Sequence, residues 1–136
     1  MSLPFISVII PCRNEEKFIS DCLDSLIANS YPNDRIEILV IDGESGDNTR
    51  NIVQGYRDKF NSINLIDNQR KTFPSAVNIG IKSSTGNPVL IVGSHAVYDP
   101  NYLSKCIDYS TTTGADHVGG ILITKPQDGT VVGKLM

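Results

Sequence analysis

Ser7-Val8-Ile9-Ile10-Pro11-Cys12-Arg13-Asn14-Glu15 and Ile38-Leu39-Val40-Ile41-Asp42-Gly43-Glu44-Ser45-Gly46-Asp47-Asn48-Thr49 follow one plan. Each opens as a short, largely apolar run and stops abruptly at a polar cluster. A strand buried on both faces reads as such a continuous run, because helices cover both sides of a parallel sheet. In open α/β sheets, ligands settle just beyond the carboxyl ends of these strands. Two strands that both finish in acidic, hydrogen-bonding loops therefore predict one shared polar crevice.

Working outward, the periodicity predicts a strand over 5–10 and a helix over 15–29. The helix carries an apolar stripe of Phe18, Ile19, Cys22, Leu23, Leu26 and Ile27 at helical spacing. Tyr31-Pro32-Asn33-Asp34 reads as a turn, followed by a strand over 36–41 and a helix from Asn48. A short strand over 63–66 follows. Pro74 then suits the first turn of a helix bearing Ala76, Val77, Ile79 and Ile81, and this helix stops within 83–86. A strand over 88–92, a helix opened by Asp99-Pro100 and a last strand near 117–123 complete the series; 125–136 shows no clear element. Strands and helices alternate throughout, which predicts a parallel, doubly wound sheet with right-handed crossovers.

The chain has 136 residues, enough for one domain that buries roughly two-thirds of its unfolded surface. Its net charge of −3, with scattered lysines and arginines, leaves no basic footprint for nucleic acid. No apolar run approaches the ~18 residues that a membrane helix needs. Cys12, Cys22 and Cys106 are odd in number and widely spaced, so they read as reduced thiols in a cytosolic setting. Cys22 and Cys106 fall on apolar helix faces, and Cys12 reads as a small loop residue rather than a nucleophile.

Several residues could carry chemistry. Asp42, ending a strand, can accept two N–H or O–H bonds from a ligand, or can brace its own loop through local amides; both readings stand. Asp47 suits a helix cap, and Gly43 and Gly46 permit close backbone approach. Arg13 beside Asn14 and Glu15 could meet a phosphate near a helix start. Arg70 and Lys71 precede another helix start, a plausible diphosphate clamp. Gly80 inside that helix costs ~1 kcal/mol relative to Ala, so close packing or ligand approach must require it. His95 directly follows a buried strand and could bind a divalent metal or a phosphate oxygen. His117 reads as a strand-start residue and Asp99 as a helix cap. Neither G-x-G-x-x-G nor G-x-x-x-x-G-K-[ST] is present.

Four segments together resemble the nucleotide-binding half of a family 2 inverting glycosyltransferase. They are Ser7-Val8-Ile9-Ile10-Pro11-x-x-Asn14-Glu15, Val40-Ile41-Asp42-Gly43-x-Ser45-x-Asp47-x-Thr49, Ala76-Val77-Asn78-x-Gly80-Ile81 and Val97-Tyr98-Asp99-Pro100. Asp42-Gly43 and a His in the metal loop are most similar to the succinoglycan-biosynthesis-like branch. The resemblance implies a GT-A fold: a Rossmann-like three-layer α/β/α sandwich with a mostly parallel sheet. Residues 1–136 would be the nucleotide-sugar-binding part of that domain, truncated at the C-terminus. The implied activity is inverting hexosyl transfer from a nucleotide sugar, a UDP-sugar by expectation, to a polysaccharide or lipid-linked acceptor of the cell envelope. By the same resemblance Pro11, Arg13, Asn14, Glu15, Asp42, Arg70, Lys71 and Asn78 would bind the nucleotide, with Asp42 on the uracil ring. His95 would help hold Mn²⁺ or Mg²⁺, although Gly93 stands where the family usually carries an Asp. The family's general base would lie beyond Met136, so the fragment alone is expected to turn over poorly. The expected location is cytoplasmic, with membrane contact only through segments outside this chain. A catalytically inactive nucleotide-sugar-binding homologue or partner subunit is the alternative, favoured by Gly93.

Overall fold

The computed structural model describes residues 3–114, 122–124 and 133–135. In chain order the elements are β1 (Ile6–Cys12), α1 (Ile19–Ile27), β2 (Ile36–Asp42), α2 (Thr49–Lys59), β3 (Ile63–Asp67), α3 (Phe73–Ser83), β4 (Val89–Ile91), α4 (Tyr102–Thr113), β5 (Leu122–Thr124) and β6 (Gly133–Leu135). A 3₁₀ turn, Asn33–Arg35, leads into β2.

β1 to β4 form one parallel sheet in the order β3-β2-β1-β4. The chain steps outward from β1 through β2 to β3, then crosses back to place β4 on the far side of β1. The sheet's direction of growth therefore reverses between β1 and β4. Alternate strand residues serve two cores. Ile6, Val8 and Ile10 of β1 join Ile38 and Val40 of β2 beneath α1, α2 and α4. Ile9, Leu39 and Ile41 point the other way and meet Ala76 of α3. The outcome is the expected three-layer α/β/α arrangement.

Gly80 shows what fixes the spacing of α3. A Cβ at that position would lie 2.5 Å from Ile9 Cγ2 and 2.8 Å from its Cδ1. Close packing, not ligand approach, explains a glycine in mid-helix.

Four details depart from the sequence-based expectation. β1 runs two residues further, so Cys12 ends a strand instead of sitting in a loop. α1 begins at Ile19, not Glu15, because Glu15 closes a tight turn: its carbonyl accepts the N–H groups of Phe18 and Ile19. Phe18 thus precedes the helix and is exposed, as is Ile81 on α3. Among the described residues of the fifth apolar strand, β5 pairs antiparallel with β6 in a separate two-stranded sheet and not with the main one. β6 itself lies in a stretch with no predicted element, and His117 lies outside the described residues.

Candidate functional site

The carboxyl ends of β1 and β4 flank a cavity of about 250 Å³. From β1 it takes Pro11, Cys12, Arg13 and Glu15, and from the loop after β4 it takes Gly93, Ser94 and His95. Lys71, Thr72 and Phe73, at the start of α3, form the remaining wall with Asn68 and Ala76. This is the crevice where the strand order reverses, the position at which open α/β sheets bind ligands.

Two loops are buttoned together beside it. The Asn14 N–H donates to Ser45 Oγ at 2.8 Å, and the Gly46 N–H returns to Asn14 Oδ1 at 2.8 Å. The Glu15 N–H donates to Thr49 Oγ1 at 2.9 Å. Asp47 caps the entry to α2 by accepting the Thr49 N–H at 3.0 Å, and it also accepts the Glu16 N–H at 3.2 Å. The Thr49 hydroxyl donates to Asp47 Oδ1 as well, and this bond first, then the two N–H donors, holds the Asp47 carboxyl below its ordinary range.

The electrostatics favour an anion. Arg13 lines the cavity with no ion-pair partner among the described residues. Lys71 makes one loose contact, its Nζ 3.6 Å from Glu44 Oε2, and both side chains are a little under half exposed. The positive end of α3 adds to these cations, its first turn capped by Thr72 Oγ1 accepting the Ser75 N–H at 3.3 Å. Backbone strain gathers here too. Asn14, Glu44 and Lys71 all adopt left-handed φ values, 53°, 57° and 65°, around the same rim. Gly43 sits between Arg13 and Lys71: a Cβ there would press within 3.3 Å of Arg13 Cδ and 3.4 Å of Lys71 Cα.

The structure sorts the candidate residues. Pro11, Arg13, Glu15, Lys71 and His95 meet in the cavity. Asn14, Asp42, Arg70 and Asn78 do not line it. Asn14 spends its side chain fastening the two loops. Asp42 is 0% exposed, and its carboxylate already accepts the Ser45 N–H (3.0 Å), the Ser45 hydroxyl and Arg50 Nη1 (2.8 Å). Bracing, the second of its two readings, is the one this geometry displays. Arg50 also bonds Asp67 at 2.7 Å, so one guanidinium ties the ends of β2 and β3 to α2. Arg70 and Asn78 line a separate, larger depression of about 430 Å³ on the outer side of α3. That depression lies away from the strand-order reversal, and of the two adjacent cations Lys71 is the one in the crevice.

Cys12 reaches the cavity wall, yet burial, Asp42 and Glu15 push its thiol up to about 12, so it remains protonated and inert. Sequence reasoning missed Arg50, Thr72 and Phe73. Phe73 is 63% exposed, and its position just before Pro74 at a helix start was the available signal. His95 is 69% exposed at the mouth, its Nδ1 3.6 Å from Glu15 Oε1 and its ring edge-on to Phe18. Tyr98 steadies Gly93, two residues before His95: the Gly93 N–H donates to Tyr98 Oη at 2.7 Å, and the tyrosine hydroxyl donates back to the Gly93 carbonyl. Among the described residues no three His, Cys, Asp or Glu side chains converge as a protein-only metal cage. None of the described helices is long and apolar enough to cross a membrane.

Comparison with known proteins agrees with this architecture. The family model "Glycosyl transferase family 2" matches residues 7–135. A dolichyl N-acetyl-alpha-D-glucosaminyl phosphate 3-beta-D-2,3-diacetamido-2,3-dideoxy-beta-D-glucuronosyltransferase of Methanococcus voltae is 37% identical over 76% of this chain and 33% of its own. The crystal structure of S. aureus TarS 1–349 with UDP superposes at a TM-score of 0.71 and 28% identity, over 88% of this chain and 35% of that one. The mannosyltransferase PcManGT of Pyrobaculum calidifontis, in complex with GDP-Man and Mn²⁺, gives a TM-score of 0.76 at 25% identity, over 92% and 36%. The chain thus spans about a third of the length of these proteins. With a family model matching nearly its whole length and neighbours of the GT-A fold, the chain belongs to glycosyltransferase family 2.

Proposed function

We propose that this chain supplies the donor site of a transferase that moves a sugar from a UDP-sugar to a polysaccharide or lipid-linked acceptor, with inversion at the anomeric carbon. One observation carries the reading: Arg13, Lys71 and the positive end of α3 converge on the crevice between β1 and β4. Two cations and a helix dipole around a polar cleft match a diphosphate in charge and in hydrogen-bond donors. The UDP bound by the S. aureus relative makes a uridine nucleotide the first ligand to try.

In this reading Arg13 and Lys71 clamp the diphosphate, Pro11 and Gly43 let the nucleotide approach the backbone, and Asp42 acts from behind by holding the Gly43–Ser45 turn. Asn14 serves in the same way, as a fastener. His95 would hold a divalent ion, Mn²⁺ more readily than Mg²⁺ because it offers an imidazole nitrogen. Such an ion, when bound, neutralises charge building on the leaving nucleotide. Glu15 is the one carboxylate lining the cavity among the described residues, and inverting transfer needs a base on the acceptor side of the sugar. We therefore assign that base to a part of the protein outside this cavity. Asp42-Gly43 and His95 support placement in the succinoglycan-biosynthesis-like branch.

Calorimetric titration with UDP, GDP and UDP-sugars in the presence of MnCl₂ tests the proposal. Binding of UDP that weakens in both Arg13→Ala and Lys71→Ala supports it. No binding of any of these at millimolar concentration, by a protein that melts cooperatively, overturns it.

A further inference from the structure

The loop after β4 reads Gly93-Ser94-His95 and brings no carboxylate to the cavity. Yet a divalent ion bridging a diphosphate ordinarily takes one or two protein carboxylates, leaving the rest of its shell to phosphate oxygens and water. Glu15 stands where such an oxygen is wanted. Its Oε1 lies 3.6 Å from His95 Nδ1, across the mouth of the same cavity. Two donors each ~2.1 Å from a common ion stand roughly 3.0–3.4 Å apart between right-angled and tetrahedral geometry. The observed spacing is already close to that range.

Glu15 is also well mounted for the task. Its N–H is held by Thr49 Oγ1 at 2.9 Å, and its carbonyl accepts from Phe18 and Ile19 at 3.0 and 2.9 Å, so its backbone is pinned on both sides. Its side chain is 21% exposed, and its carboxylate makes no hydrogen bond to any other described residue beyond the His95 contact. His95 in turn has the ring of Phe18 against it, centroids 6.3 Å apart. A mounted carboxylate with spare lone pairs, beside an imidazole, over a cleft lined by cations, is a donor pair rather than a surface ornament.

We propose that Glu15 and His95 together form the divalent-cation site, the carboxylate of the β1 loop replacing the one absent at Gly93. The proposal rests on the donor-site reading, since diphosphate oxygens complete the shell.

The test compares UDP binding by calorimetry in MnCl₂ and in EDTA for wild type, Glu15→Gln and His95→Ala, together with Mn²⁺ broadening of the His95 imidazole NMR signal in wild type and Glu15→Gln. Gln keeps an oxygen that can accept from imidazole N–H, so a carboxylate that merely orients His95 would survive this change. The expected result is that Mn²⁺ tightens UDP in wild type and that Glu15→Gln removes at least about tenfold of that gain. The variant should also lose the paramagnetic broadening, and its ratio of UDP affinity in MnCl₂ to that in EDTA should fall towards one. A carboxylate at 93 has room, its Cβ meeting nothing nearer than Tyr98 Oη at 3.8 Å, so Gly93→Asp added to Glu15→Gln restores Mn²⁺ dependence. Equal UDP affinity in Mn²⁺ and EDTA, or Glu15→Gln behaving as wild type, overturns the cation site and leaves the donor site standing. No UDP binding in either buffer overturns the donor site, and this proposal with it.

Discussion

Asp42→Ala separates two accounts of the same residue. If Asp42 braces the rim, its loss is a loss of stability; if it holds a base, its loss is a loss of affinity. The carboxylate is fully buried and takes three protein donors, two from Ser45 and one from Arg50. Breaking a buried ion pair costs about 3–5 kcal/mol when the remaining charge is stranded. Arg50 is not stranded: it is 38% exposed and keeps its 2.7 Å bond to Asp67. The expected cost is therefore lower, about 2–3 kcal/mol, most of it in hydrogen bonds to a charged acceptor. For a domain of this size that lowers Tm by roughly 10 °C. Arg50→Met leaves Asp42 buried with Ser45 alone and should cost at least as much. The double variant should cost less than the two single losses added, a coupling of at least about 1 kcal/mol between the pair. Urea denaturation at 10 °C supplies the four stabilities, and UDP titration at the same temperature supplies the affinity. UDP affinity should fall by less than about tenfold, under 1.4 kcal/mol, because no Asp42 atom is exposed to the cavity. An Asp42→Ala protein of wild-type stability that no longer binds UDP would refute this reasoning and return Asp42 to the ligand.

Gly80→Ala gains about 1 kcal/mol of helix propensity but drives a methyl into Ile9, an overpacking that costs about 1–3 kcal/mol, so net destabilisation is expected by urea titration. A more stable variant would show that α3 is not seated on Ile9 as described. Lys71→Gly relieves a left-handed backbone and should leave stability unchanged or raised by up to about 1 kcal/mol, while UDP affinity falls several-fold; unchanged affinity would remove Lys71 from the diphosphate clamp. The depressed Asp47 carboxyl contributes stability that is fully present above the unfolded value near pH 4 and is lost as the pH falls through the lower folded value. Asp47→Asn should therefore flatten the acid limb of a Tm-against-pH curve, and an unaltered limb would disprove the link. With Cys12 and Cys22 both raised to about 12 and Cys106 buried, the native protein at pH 8 should react slowly with Ellman's reagent at all three thiols. A single fast thiol would contradict the burial of that cysteine.

What the chain reveals by inspection follows the range of the interactions involved. β1 and β2 were legible because burial on both faces leaves an unbroken apolar run, and their polar endings marked the rim where ligands gather. Gly80 was legible as an anomaly because a mid-helix glycine needs a reason, though that reason, Ile9, lies 71 residues away in the chain and comes near only in the packed fold. Asp42 was ambiguous by nature: a strand-end carboxylate looks the same whether it faces a ligand or a guanidinium, and Arg50 lies eight residues along the chain with no local mark. Arg70 and Lys71 could not be told apart, because the left-handed turn at Lys71 swings neighbouring side chains into different depressions. β5 was read as a strand but placed in the wrong sheet, since periodicity reports an element's kind and says nothing about its partner. The Glu15–His95 pair is the extreme case, with 80 residues of separation closed only by β4 crossing back beside β1. The crevice is therefore a product of strand order more than of any motif, and strand order alone sets Glu15 beside His95.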